Sequence, residues 1–227
     1  MERGKHMCFI CLDSVSFTYE GKKTPAVNDV SLSFAAGESA AIVGLNGSGK
    51  STLARLMMGL LRPQKGKITL SGRPIEEYSL PEIGRKLGFV LQNPSLMLFN
   101  ISVYNEVAFG LKWKGKKRQE VEQICYNYLS YFDIWDLRDE LPFNLSQGQK
   151  QMVVLSSILA LEPECLILDE PTKNIDSYRK KKLKKLLLDI RARGIGLVII
   201  SHDYNFVDGL CERKIYMADG KVMADEH

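Results

Sequence analysis

No run of about 18 or more apolar residues occurs in this 227-residue chain, so no segment is expected to cross a membrane as a hydrophobic helix. The opening residues, MERGKHM, also lack the apolar stretch of a secretory signal. A cytoplasmic chain is the expectation. Charge of one sign is scarce: 31 Lys and Arg against 27 Asp and Glu leave a net charge of +4, which does not by itself indicate a nucleic-acid partner. Cysteine is sparse, five in all. The one close pair, Cys8 and Cys11, could bind metal or undergo redox chemistry, but no second ligand pair stands at zinc-finger spacing. Reduced, mostly buried thiols are therefore expected. No internal repeat or low-complexity segment is evident.

What is present is concentrated after the apolar run Ala40, Ala41, Ile42, Val43, which has the composition of a buried strand. Residues Gly44 to Thr52 follow it directly and read GLNGSGKST, a complete phosphate-binding P-loop. Gly44, Gly47 and Gly49 let backbone N–H groups turn inward around a polyphosphate, because only a residue without a Cβ allows such close approach cheaply. Lys50 supplies a point charge and Ser51 a hydroxyl for Mg²⁺, with Asn46, Ser48 and Thr52 completing the candidate triphosphate contacts. The stretch Thr52 to Leu61 is expected to be a helix whose N-terminal dipole favours the anion. Chance would produce the pattern in a chain of this length with a probability of order ~1%.

Four further elements follow in a fixed order. Phe89 to Gln92 reads as a strand ending in glutamine, Leu145 to Gln151 is LSQGQKQ, Leu166 to Glu170 is an apolar strand ending in two carboxylates, and Leu197 to Ile200 is a buried strand ending at Ser201 and His202. With these the chain resembles the nucleotide-binding subunit of ABC transporters, from about Phe9 to about Ala224. The resemblance implies ATP and Mg²⁺ as ligands and a role for each matching residue. Asp169 would hold Mg²⁺ through its hydration shell, and Glu170 would orient and deprotonate the attacking water. Gln92 matches the glutamine that touches metal or water, His202 the switch histidine at the γ-phosphate, and Tyr19 the aromatic that stacks on adenine. Asp176, in PTKNID, matches the end of the loop that reaches across a dimer. Taken alone, Tyr19 could be a half-buried strand residue, and the pair Asp169 and Glu170 a helix cap.

Ser146 stands where a helix would begin, so its hydroxyl and the N–H groups of the residues after it, including Gly148 and Gln149, form a second anion site. In the family that segment faces the ATP held by another subunit's P-loop, which implies a homodimer or a heterodimer with a second ATPase. Gln147 replaces the usual glycine of the signature, Met152 the usual arginine, and Lys173 the usual small residue.

The length suits an α/β P-loop core with a mainly parallel sheet, an N-terminal antiparallel β-subdomain over Phe9 to Thr18 and Val27 to Phe34, and an inserted helical lobe. The expected division is a core of residues 1–92 and 162–227 around a lobe of residues 93–161, with helices over Gln119 to Phe132 and Gln151 to Leu161. The basic runs at 113–118 and 179–185 read as solvated faces, the second with Leu183, Leu186, Leu187 and Ile190 on its buried side. The segment Gln92 to Leu111, ending EVAFGL, resembles the energy-coupling factor and cobalt-type importer ATPases, although Ser95, Leu96 and Met97 replace acidic residues and glutamine common there. That resemblance implies a transmembrane coupling protein, a separate membrane component that binds a vitamin or metal ion, and a place on the inner face of the cell membrane. The competing reading is a soluble ABC ATPase acting on nucleic acid or a ribosomal or assembly complex.

Overall fold

The continuous apolar runs become the centre of a six-stranded sheet because strands covered on both faces need no polar alternation. In the computed structural model, which describes residues 8–227, β1 (Cys8–Phe17), β2 (Val27–Ala35), β3 (Ser39–Val43), β4 (Lys65–Leu70) and β5 (Arg73–Pro74) precede β6 (Leu87–Val90), β7 (Cys165–Asp169), β8 (Gly196–Ile200), β9 (Arg213–Ala218) and β10 (Lys221–Glu226). The larger sheet runs β10-β9-β3-β8-β7-β6, parallel except for the β9–β10 hairpin. A four-stranded antiparallel sheet, β2-β1-β4-β5, lies beside it. The helices are α1 (Lys50–Met57), α2 (Leu80–Lys86), α3 (Val103–Trp113), α4 (Arg118–Tyr131), α5 (Gln147–Leu159), α6 (Ser177–Ala192) and α7 (Tyr204–Val207).

Period-two alternation sorts the sheet's side chains between two cores. Ala41, Val43, Leu166, Leu168, Leu197 and Ile199 face the helical side with α3 to α7, whereas Ala40, Ile42, Ile167, Val198 and Ile200 pack with α1 and the antiparallel sheet. Residues between β6 and β7 form helices and turns with no strand, and α3, α4 and α5 pack on one another through Val107, Val121, Cys125 and Val153. The basic run of α6 buries Leu183, Leu187 and Ile190 and leaves Leu186 half-buried, as the helical spacing predicts.

Several expectations change in detail. The helix after the P-loop ends at Met57, not Leu61, because Gly59 turns with φ 66° and the chain must run on to β4. Gln92 lies two residues beyond the end of β6, in the loop that follows it. The helix at the signature starts at Gln147 and stops at Leu159, closed at its start by a reciprocal cap. The run 113–118 is the end of α3, a turn with Gly115 at φ 74°, and the start of α4.

Cys8 and Cys11 correct the expectation of reduced thiols: they form a disulfide. Residues three apart in a regular strand stand about 10 Å apart, beyond reach of a bridge. The register shift between Cys8 and Ile10 bends β1 so that the two Cα atoms are 6.0 Å apart. Cys125, Cys165 and Cys211 are buried free thiols, and burial pushes each up to about 12. The reading of MERGKHM lies outside the described residues. Among those described, no helix is long and apolar enough to cross a membrane.

Arg213 ties the two sheets together. Its guanidinium donates to Glu38 Oε1 at 2.7 Å, to Asp225 Oδ2 at 2.5 Å and to the Ser33 carbonyl at 2.7 Å, over the ring of Phe34. The hydrogen bond from Arg213 holds the Asp225 carboxyl below its ordinary value. A carboxyl depressed on folding adds stability above its unfolded pKa and loses it as pH falls through the lower folded value. Arg213→Met is expected to destabilise the chain by about 2 kcal/mol at pH 7, with partial solvation of the carboxylates keeping the effect below a fully buried pair. It should also flatten the loss of stability below about pH 4. Denaturant titrations from pH 7 to pH 3 check both; equal acid sensitivity in the two proteins would remove Arg213 from this role.

Candidate active site

The P-loop joins β3 to α1 and wraps one end of a cleft of about 500 Å³. Two glycines there are required by contact. A Cβ on Gly44 would lie 2.2 Å from the Met217 carbonyl oxygen, and one on Gly49, at φ 100°, would lie 2.2 Å from that of Ala26. The loop is thus pressed against the β9–β10 hairpin and the start of β2, and Gly220 N–H donates to the Ser48 carbonyl at 3.1 Å. Four N–H groups at the start of α1 have no partner within the helix, so this end of the cleft is a lining of donors.

The cleft brings together Tyr19, Asn46, Gly47, Gly49, Lys50, Ser51, Thr52, Gln92, Asp169 and Glu170 from four separate stretches of sequence. Gly44 and Ser48 belong to the same loop, where Gly44 packs on the Met217 carbonyl and the Ser48 carbonyl accepts from Gly220 N–H. His202 joins through its side chain, with Nδ1 2.8 Å from Glu170 Oε1. Glu170 sits just past β7 at φ 51°, an αL conformation that costs about 1–2 kcal/mol for a non-glycine residue. That turn, fixed by Glu170 N–H donating to the Ile200 carbonyl at 2.9 Å, swings its carboxylate to the histidine. The loop bearing His202 is held in turn by Asp203, which caps α7 and pairs with Lys180 of α6.

Lys50 folds back on its own loop. Its ammonium donates to the carbonyls of Gly44 at 2.7 Å and Leu45 at 2.8 Å and to Ser48 Oγ at 3.2 Å. Burial lowers its pKa, while Glu170 and Asp169 pull the other way. Burial raises the pKa of Asp169, opposed by the hydroxyl of Ser51 beside it.

Buried Asp169 Oδ1 and Glu170 Oε2 have no protein partner. Buried carboxylate oxygens of this kind are normally satisfied, and with the inward N–H groups they suit a polyphosphate, its hydrated cation and a water. Among the described residues no cluster of three His, Cys, Asp or Glu is placed to hold a metal.

Ser146, Gly148, Gln149 and Asp176 are outside this cleft. Ser146 Oγ accepts from Gln149 N–H at 3.3 Å, and Gln149 Oε1 accepts from Ser146 N–H at 2.9 Å. Gly148 leaves just enough space for the Asn174 carbonyl, 3.4 Å from where a Cβ would stand, so the signature helix abuts the PTKNID loop. Asp176 caps α6 through Arg179 N–H at 2.8 Å, and this bond holds its carboxyl below the ordinary value. Sequence reasoning missed Ala26, which lines the cleft and whose carbonyl contacts Gly49; a lone alanine before a strand carries no signal. It also missed Arg55, which donates to the Tyr19 hydroxyl at 3.2 Å.

Residues 27–173 match the family described as ABC transporter. An ABC transporter ATP-binding protein of Clostridium acetobutylicum is 36% identical over 224 residues, covering 96% of this chain and 92% of that protein. One from Pyrococcus furiosus is 37% identical over 208 residues, covering 92% and 79%. The chain spans only 38% of a longer relative from Enterococcus faecalis, also 36% identical. Among solved structures, a dimeric ATP-binding cassette in a post-hydrolysis state with ADP and Pi superposes with a TM-score of 0.88 at 27% identity, covering 96% of this chain and 97% of that one. CbiO1 of Clostridium perfringens, part of the ABC transporter complex CbiONQ, superposes with a TM-score of 0.82 at 32% identity, covering 96% and 88%. With a relative this similar along almost its whole length, the chain belongs to the ABC transporter family, as an ATP-binding subunit that hydrolyses ATP.

Proposed function

We propose that the chain powers an importer of the energy-coupling factor type and that its cleft hydrolyses ATP with Glu170 as general base. The observation that carries the catalytic reading is the unpartnered, buried Glu170 Oε2 in a carboxylate whose other oxygen is fixed by His202. Asn46, Gly47, Ser48, Gly49, Lys50, Ser51 and Thr52 bind the phosphates, Gly44 lets the loop close, and Tyr19 gives the adenine a stacking face. Ser51, Asp169 and Gln92 hold Mg²⁺, which when bound neutralises phosphate charge. His202 orients Glu170 toward the γ-phosphate, and Glu170 takes the proton of the attacking water. Ser146, Gly148, Gln149 and Asp176 face the nucleotide of another subunit, so the working unit is a homodimer or an unlike pair. That a cassette at 27% identity and TM-score 0.88 is dimeric supports this assembly.

Residues 93–161 act as the lobe that meets a transmembrane protein, and residues 1–92 and 162–227 as the nucleotide-binding core. A groove of about 620 Å³ between α2 and α3, lined by Pro81, Phe109, Trp113 and Leu161 with Arg85 and Lys114 at its rim, suits an amphipathic helix of that partner. Trp113 is 75% exposed, and Phe99, 62% exposed, extends the apolar surface by stacking edge-to-face on Phe109 at 5.0 Å. Such a patch marks an interaction surface. The likeness to CbiO1 and the EVAFG segment, now the middle of α3, support the importer class, a vitamin or metal ion as cargo, and a peripheral site on the inner membrane face. Purification in mild detergent from the chain's own host should yield a multi-spanning membrane protein with it. Phe109→Asp with Trp113→Asp should lose that protein while keeping ATP binding. Recovery of ribosomal particles or nucleic acid instead would favour the soluble ABC ATPase.

A further inference from the structure

Tyr19 is held at both ends. Its ring meets Phe17 edge-on, with centroids 4.9 Å apart and planes at 90°. Its hydroxyl lies 3.3 Å from Thr52 Oγ1 and receives Arg55 Nη1 at 3.2 Å. Thr52 and Arg55 are three residues apart on α1 and so project from neighbouring positions on that helix. The helix whose N-terminus faces the phosphates therefore also holds the far end of the aromatic ring. Tyr19 itself lies beyond the end of β1, outside any ladder that would fix it. Arg55 is exposed and its side-chain hydrogen bond goes to an uncharged phenol, while through space its charge reaches Asp169, where burial raises the carboxyl's pKa and Arg55 lowers it.

We propose that Arg55 is a positioning residue that orders the stacking face of Tyr19, and so sets the preference of this cleft for a nucleotide over a bare polyphosphate. The proposal rests on the reading of Tyr19 as the adenine platform. A ring ordered in advance does not have to be immobilised by the ligand, and that ordering is worth roughly 3- to 10-fold in affinity. Arg55 makes the hydroxyl of Tyr19 useful although the hydroxyl is not itself the stacking group.

Calorimetric dissociation constants for ATP and for inorganic triphosphate test this at physiological salt, where an exposed charge acts weakly beyond about 8 Å. Arg55→Met should weaken ATP roughly 3- to 10-fold and leave triphosphate unchanged, so triphosphate binding also reports an intact fold. Tyr19→Phe should weaken ATP to the same extent, and adding Arg55→Met to it should bring no further loss. Arg55→Lys should recover part of the affinity. Equal weakening of ATP and triphosphate by Arg55→Met would overturn the proposal, since Arg55 would then act on phosphate charge. So would additive losses in the double variant, or no loss at all. Tyr19→Ala separates this failure from the underlying one: equal weakening of both ligands by Tyr19→Ala removes the adenine platform itself. A loss confined to ATP, beside a silent Arg55→Met, removes only the role of Arg55.

Discussion

Glu170→Gln is expected to slow ATP hydrolysis by about 10²- to 10⁴-fold, the usual contribution of a general base, while ATP binding survives. The substitution keeps shape and backbone. Glutamine can present an oxygen to His202 Nδ1 where Glu170 Oε1 now stands at 2.8 Å, and the αL turn at φ 51° is untouched. What disappears is the buried carboxylate oxygen with no protein partner, the atom that takes the proton in the proposed mechanism. Removing a negative charge from a cleft that also holds Asp169 should tighten the polyphosphate slightly. Steady-state phosphate release beside equilibrium ATP binding checks both halves. Hydrolysis at the wild-type rate would end the assignment.

Lys50→Ala should have the larger effect on binding, a loss of roughly 10- to 150-fold in ATP affinity for one charge-assisted contact. The resting structure adds a second consequence. The ammonium now satisfies the carbonyls of Gly44 and Leu45 and the Ser48 hydroxyl, so its removal also loosens the loop, and the melting temperature should fall with the affinity. Burial already lowers the Lys50 pKa, so ATP affinity in the wild type should weaken on raising pH earlier than an ordinary lysine would dictate. Calorimetry across pH 7 to 10 measures this. A pH-independent affinity in the wild type and an unchanged affinity in the variant would both contradict the role given to Lys50.

The part of this site that was legible in the sequence is the part written in contiguous residues. β3, β7 and β8 are apolar runs buried on both faces, and each leads into residues of the site: the P-loop, Asp169 with Glu170, and His202, bonded to Glu170. Features made by packing between distant segments left no such trace. β4, Lys65–Leu70, opens on Lys-Gly-Lys and looks unlike a strand, yet it pairs with β1 at sequence separations of 49 to 60. Ala26 matters only because Gly49 and Gly220 both press on its carbonyl, and Arg55 only because α1 brings it under Tyr19. The disulfide depended on a register shift in β1 that neither cysteine announces. The signature residues were found as a motif, but Ser146 is occupied with its own helix cap, outside the cleft.

That separation makes assembly the most direct test of the account, which holds that Ser146 completes a site on another subunit. Size-exclusion chromatography of Glu170→Gln with ATP and Mg²⁺, alone or with a second ATPase if one co-purifies, should show a dimer that is absent without nucleotide. Adding Ser146→Arg places a large cation in the second anion site while the chain's own P-loop still binds ATP, and should abolish that dimer. A double variant that dimerises as well as Glu170→Gln, or no ATP-dependent dimer of Glu170→Gln at all, would contradict the account.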